Sequence, residues 1–190
     1  MTDKVLQIHI ELDGVLPFIW RRVQIPESAT FRDLHLVIQG SMGWENDHCH
    51  MFTIKKTKKR SMFQCGNPVA GMDVRPDWEV PVNTVFTRKG NKAYYEYDFG
   101  DCWAHTLSFE GVQPAQPDVT YPRCTDGERA CPPEDCGGPW GYEDLLELAD
   151  KNHDEHEKWV EWCGDDADPN HFDPKEVSLT VVGEEVGRTQ

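Results

Sequence analysis

The spacing of apolar residues changes period twice along this chain, and that change constrains the fold more than any other feature. Leu6, Ile8, Ile10 and Leu12 alternate with Gln7, His9 and Glu11, a period of two that sets one face of a strand against a core. Residues 18–25 read as a second strand closed by Pro26, with Asp13-Gly14 as a turn signal between the two. Over 30–43 the steps become three and four. Phe31, Leu34, Val37, Ile38 and Met42 then share one face of an amphipathic helix. Thr30 can cap its start, Asp33 suits the first turn and Gly43 can end it. Period two returns at 48–54. It returns again at 93–98 and 103–109, which flank Phe99-Gly100-Asp101-Cys102 as the clearest hairpin signal in the sequence. Such a pattern specifies an α+β fold with a mixed β-sheet and packed helices. The opening order strand, strand, helix, strand is β-grasp-like.

The remaining stretches are less regular. Residues 55–92 carry no clean period, and Val82 to Phe86 are expected to be extended. Residues 111–140, rich in Pro, Gly and Cys, are expected as one long loop. A connection of that length in a compact protein is usually functional or disordered, and the Cys, Arg and Trp content argues against disorder. Tyr142, Leu145, Leu146 and Ala149 mark one helix face, and Trp159, Val160 and Cys163 a second, ended by Gly164. An acidic turn region at 165–174 precedes Val177, Leu179 and Val181, which alternate as a final strand. The 190 residues are expected to form one domain (residues 1–190, core about 5–181). A chain of this length buries a core without covalent or metal staples.

Charge narrows the partners. The chain holds 19 Lys and Arg against 34 Asp and Glu, a net charge of -15, which opposes duplex nucleic acid. The one dense basic run, Lys55 to Arg60, lacks the interleaved aromatics of a single-strand binder and reads as a solvated loop tip. No apolar run approaches the ~18 residues of a transmembrane helix. The N-terminus leads directly into a strand with no secretion pattern, so a soluble, cytoplasmic protein without membrane partners is expected. Seven Cys, an odd number in that setting, argue against a disulfide framework and leave metal ligation, a reactive thiol or packing.

A series of short motifs runs through these segments in order: Pro17-Phe18-Ile19-Trp20-Arg21-Arg22, Leu34-His35, Met42-Gly43-Trp44, His48-Cys49-His50, Tyr97-Asp98-Phe99-Gly100-Asp101 with Trp103 and His105, Tyr121-Pro122-Arg123-Cys124, Gly127, Cys131 to Gly138, Gly141-Tyr142, His153, Glu155-His156-Glu157 and Phe172-Asp173-Pro174. Together they resemble the plasmid pRiA4b ORF-3-like family over about residues 5 to 181. The resemblance implies an α+β fold and, for some members, association with plasmids and mobile elements; one relative has been named resolvase-like. No activity is attached to the family. Members often carry a second acidic residue where this chain has Cys102, so a role resting on that carboxylate does not transfer here.

Three polar clusters could carry chemistry. His48 and His50, two apart on an extended strand, share a face, and Asp98, Asp101 and His105 gather at the hairpin tip. Imidazole and carboxylate together suit a divalent metal such as Zn, or acid/base work; the alternative is that Asp101 caps a turn and the histidines bond to backbone or line the core. Cys124, Cys131 and Cys136, spaced C-x6-C-x4-C, are candidate Zn ligands, and the Gly137-Gly138 amides beside Cys136 could lower its thiol pKa; the alternative is inert packing. His153, His156 and Glu157 on a charged helix start read best as a solvated face. Asp98, Asp101, His105 and Glu134 are the candidate catalytic groups, and His48, His50, Asp101, His105, Cys124, Cys131 and Cys136 the candidate metal ligands. The expected functional surface lies where the 98–105 tip meets the 121–138 loop. Three functions follow in order: a protein-interaction module with Trp44, Trp78, Trp140 and Trp162 as anchors and a basic partner; a metal-dependent hydrolase built on the His/Asp cluster; and a DNA-transaction protein. Nucleophile and phosphate-loop motifs are absent from the sequence.

Overall fold

The computed structural model describes residues 4–56, 61–67 and 74–179. Most of the basic run (57–60) and Val181 lie outside those residues. The strands are β1 (Lys4–Leu12), β2 (Ile19–Pro26), β3 (His50–Lys56), β4 (Ser61–Gly66), β5 (Arg75–Pro76), β6 (Lys92–Tyr97), β7 (Trp103–Pro114) and β8 (Arg123–Glu128), and the helices α1 (Phe31–Met42), α2 (Gly138–Glu147) and α3 (His156–Cys163). The strands form one eight-stranded sheet in the order β5-β4-β3-β6-β7-β1-β2-β8. Every pairing is antiparallel except β4 with β5. This is a mixed sheet with packed helices, an α+β fold. The order strand, strand, helix, strand opens the chain, but the β6–β7 hairpin stands between β1 and β3 in the sheet.

Alternation in β1 sets the central layer. Leu6, Ile8, Ile10 and Leu12 are all essentially inaccessible to solvent, each side chain worth about 1.5–3 kcal/mol by its burial. A bulge between Gln7 and Ile8, opposite Gly111 and Phe109, leaves Glu110 as the extra residue of β7. Glu110 there meets Arg22 at 2.8 Å and Gln7 at 2.7 Å on the outer face. Helix α1 covers the apolar face. Phe31, Leu34, Ile38 and Met42 are buried as the period requires, with Phe31 edge-on to Phe52 of β3. Thr30 and Asp33 form a reciprocal capping box, and Gly43 ends the helix in the left-handed conformation at φ 83°.

Three expectations are corrected. Val82–Thr84 is a 3-10 turn rather than extended; it follows Pro81, and its first amide bonds back to Ala29. The long loop at 111–140 is interrupted: β7 runs on to Pro114, and Arg123–Glu128 is an edge strand on β2. Residues 177–179 form no strand. Among the described residues no helix is long and apolar enough to cross a membrane.

Candidate functional site

Three segments meet beyond the end of the β6–β7 hairpin: residues 44–48 ahead of β3, the hairpin tip at 98–102, and the loop at 131–138. Trp44 draws them together. It is buried, its Nε1 donates to Pro132 O at 2.9 Å, and its ring lies 5.1 Å from that of Tyr97. Trp44 is therefore a packing element and not the exposed anchor expected. Tyr97 OH and the Glu45 amide both donate to Glu134 Oε1, at 3.0 and 2.8 Å. Burial, followed by that carboxylate, raises the Tyr97 phenol above its usual range. The Gly137 amide donates to Asp101 Oδ2 at 3.0 Å. A side chain at Gly138 would stand 2.4 Å from Asp101 O, so only glycine lets the loop approach the tip this closely.

At the centre stand His48, Asp98 and Asp135. His48 Nε2 lies 3.0 Å from Asp135 Oδ1, and His48 Nδ1 lies 3.9 Å from Asp98 Oδ1. Asp98 is buried and its Oδ1 accepts the Gly100 amide at 2.8 Å. Among the described residues these three are the one group of His, Cys, Asp or Glu whose ligand atoms fall within 4.8 Å of one another. Asn46, Asp98, Cys102 and Asp135 all hold positive φ, at 63°, 52°, 58° and 56°. Asn and Asp tolerate that region better than other residues with a Cβ, and strain of this kind gathers at functional sites.

The sequence places some candidates here and misplaces others. Asp98, Asp101 and Glu134 lie where expected, and the hairpin tip touches the loop. His48 and His50 do not converge. His50 turns inward, where Nε2 meets Asp77 Oδ2 at 2.7 Å and the ring stacks 3.6 Å from His35. His105 is wholly buried, bonds through Nδ1 to Trp103 O at 3.1 Å and leaves Nε2 without a partner. Burial lowers its pKa to about 3, so it is a neutral core residue and not the acid/base group expected. His35 completes a closed circuit. Tyr95 OH, which accepts from Gln39, donates to His35 Nδ1, His35 Nε2 donates to Asn46 Oδ1, and the Asn46 amide donates to Gln39 Oε1. Burial, then the neighbouring His50, lowers the His35 pKa to about 2.

The cysteines do not gather as ligands. Cys131 Sγ takes Arg21 NH2 at 2.9 Å and touches Met42 Sδ at 3.1 Å, and Cys124 Sγ bonds to Asp126 O at 3.4 Å. Burial raises the Cys124 and Cys131 thiols, the latter to about 11. Burial and then Asp101 raise Cys136 to about 12, the reverse of the activation expected from the glycine amides. His156 Nδ1 donates to Leu148 O and His153 Nδ1 accepts the Glu155 amide, so that cluster closes a helix start. Asp135 stood out in the sequence only as one polar residue of the loop. Asp77 carried no signal, because it lies in the stretch without a period.

The fold is an α+β one with a single mixed sheet, and its sequence signature covers nearly the whole described chain. Residues 4–176 match the family described as plasmid pRiA4b ORF-3-like protein, and the chain belongs to that family. It is 35% identical over 166 residues to the uncharacterized protein y4hQ of Sinorhizobium fredii (strain NBRC 101917 / NGR234), covering 86% of this chain and 83% of that protein. It is also similar to the crystal structure of a protein of unknown function, MM3350 from Methanosarcina mazei Go1. That likeness has a TM-score of 0.84 and 41% identity, and covers 94% of this chain and 100% of the other.

Proposed function

We propose that this chain is a cytoplasmic protein-interaction module that docks a basic, amphipathic segment of another protein in the cleft between α2 and α3. The carrying observation is Trp162, half exposed beside Leu145 and Leu148 in a cleft of about 420 Å³. Asp144, Glu147 and Glu155 stand at the same cleft, and its one lysine, Lys158, is already paired with Glu155. Around it, residues 143–168 hold eleven Asp and Glu against Lys151 and Lys158. An apolar floor inside an acidic rim suits a helix with an apolar face and lysines or arginines beside it. Trp140 is exposed at the start of α2. The same field disfavours duplex DNA, and the cleft offers no feature for a membrane.

A fluorescent amphipathic peptide of Leu and Lys, compared with its Leu and Glu counterpart, tests the reading by anisotropy. The basic peptide is expected to bind and the acidic one not. Trp162→Ser should weaken binding by about 2 kcal/mol, roughly thirtyfold, as loss of an interface anchor does. Equal affinity for the Trp162→Ser protein would reduce the interaction to general charge attraction and remove the proposed site. Of the cluster behind the metal-dependent hydrolase alternative, His48, His50, Asp98, Asp101 and His105, the two residues His50 and His105 are buried in the core.

A further inference from the structure

We infer that His48, Asp98 and Asp135 bind one first-row divalent cation of borderline character, such as Zn²⁺ or Co²⁺. The inference is independent of the docking cleft. Donor chemistry comes first. One imidazole with two carboxylates suits these ions, whereas Ca²⁺ and Mg²⁺ take oxygen. Distances come next. Ligand atoms about 2.0–2.2 Å from a tetrahedral ion stand roughly 3.3–3.6 Å apart. One imidazole nitrogen and one oxygen from each carboxylate lie within 4.8 Å of one another, so ligation by a single nitrogen needs the three side chains to close in modestly from that spacing.

Charge is the independent observation. Asp98 is buried, with its side chain 11% exposed. No Lys or Arg among the described residues lies within ion-pair distance of it, and the one basic side chain at that range is the His48 imidazole. Its Oδ1 has a single amide donor and its Oδ2 has no hydrogen bond. Glu134, adjacent in sequence to Asp135, buries Oε2 with no partner. A largely buried carboxylate gains from a positive charge beside it, which a divalent ion supplies. Three protein ligands leave positions on the ion open to water or to a further ligand.

The test titrates chelator-treated full-length protein with Co²⁺, following its visible absorbance, and then displaces Co²⁺ with Zn²⁺. One equivalent is expected to bind in an ordered, low-symmetry environment. Asp98→Asn, which suits the same backbone conformation, and His48→Gln should each lower the affinity at least about tenfold, as loss of a metal-site contact does. Asp166→Asn, in the acidic turn, should leave it unchanged. Circular dichroism checks that the variants fold; if Asp98→Asn does not, the more exposed His48→Gln decides. Absence of stoichiometric binding overturns the site, leaving His48 as a polar contact between two aspartates. Affinity that survives both ligand substitutions also overturns it, because the ion would then be held by surface charge elsewhere.

Discussion

Arg21 shows how much one buried residue joins. It sits on the inner face of β2, and all five of its N–H groups are used. Nε donates to Ser41 O, NH1 to Trp20 O and Glu128 O, and NH2 to Arg129 O and Cys131 Sγ. The guanidinium stands 3.8 Å from the centre of the Phe172 ring. No carboxylate pairs with it among the described residues. Carbonyl dipoles hold the charge, including one from the last turn of α1, the negative end of that helix. Arg22, the next residue, faces outward and pairs with Glu110 and Asp126 instead. Arg21→Met should therefore strand four carbonyls and destabilise the protein by on the order of 3 kcal/mol in urea unfolding. Arg21→Lys should fall between the two, because an ammonium offers three donors and no planar fork. A loss under about 1 kcal/mol for Arg21→Met would show that water or rearrangement replaces the network.

At the scale of elements, α1 is the best test of local rules. Its cap, its apolar stripe and its terminating glycine are all present in the sequence, and all three appear in the structure. Thr30→Ala removes the hydroxyl half of the capping box and should cost about 1 kcal/mol; Thr30→Ser should recover most of it in the same melting experiment. β1, β2 and the β6–β7 hairpin were legible for the same reason: one face is buried and period two is clean. β8 was not. It is an edge strand whose side chains are half-buried or exposed on both faces, so no alternation exists to read, and its pairing with β2 is set by tertiary contact. The site was legible in part. Asp98, Asp101 and Glu134 announced themselves as carboxylates in turns. The inward rotation of His50 and His105 was hidden, because strand periodicity gives a face and not the depth of the layer packed upon it. In this chain α1 and Trp44 cover that face, turning two candidate ligands into core.

At the scale of the whole molecule, the buried imidazoles of His35 and His105 shape the response to acid. His35 and His105 are held near pKa values of about 2 and about 3, primarily by burial, against an unfolded value near ~6.5. Both folded values are depressed, so the native state stays neutral where the unfolded chain takes up protons. Above pH ~6.5 neither state is protonated at these sites and nothing is lost. Below it the unfolded state binds more protons, and stability falls as pH falls, until the folded values are reached. The slope contributed is about 1.4 kcal/mol per pH unit for each histidine, and between pH ~6 and ~5 it acts above the usual carboxylate range. Urea midpoints measured over that window should therefore drop steeply. His105→Gln should lower stability at pH 7, since it alters a packed site, while flattening the slope below pH 6 by about one proton. An unchanged slope in His105→Gln would mean that His105 takes up its proton in the native state, by opening of the layer formed by Trp44 and Tyr95 against which its ring packs.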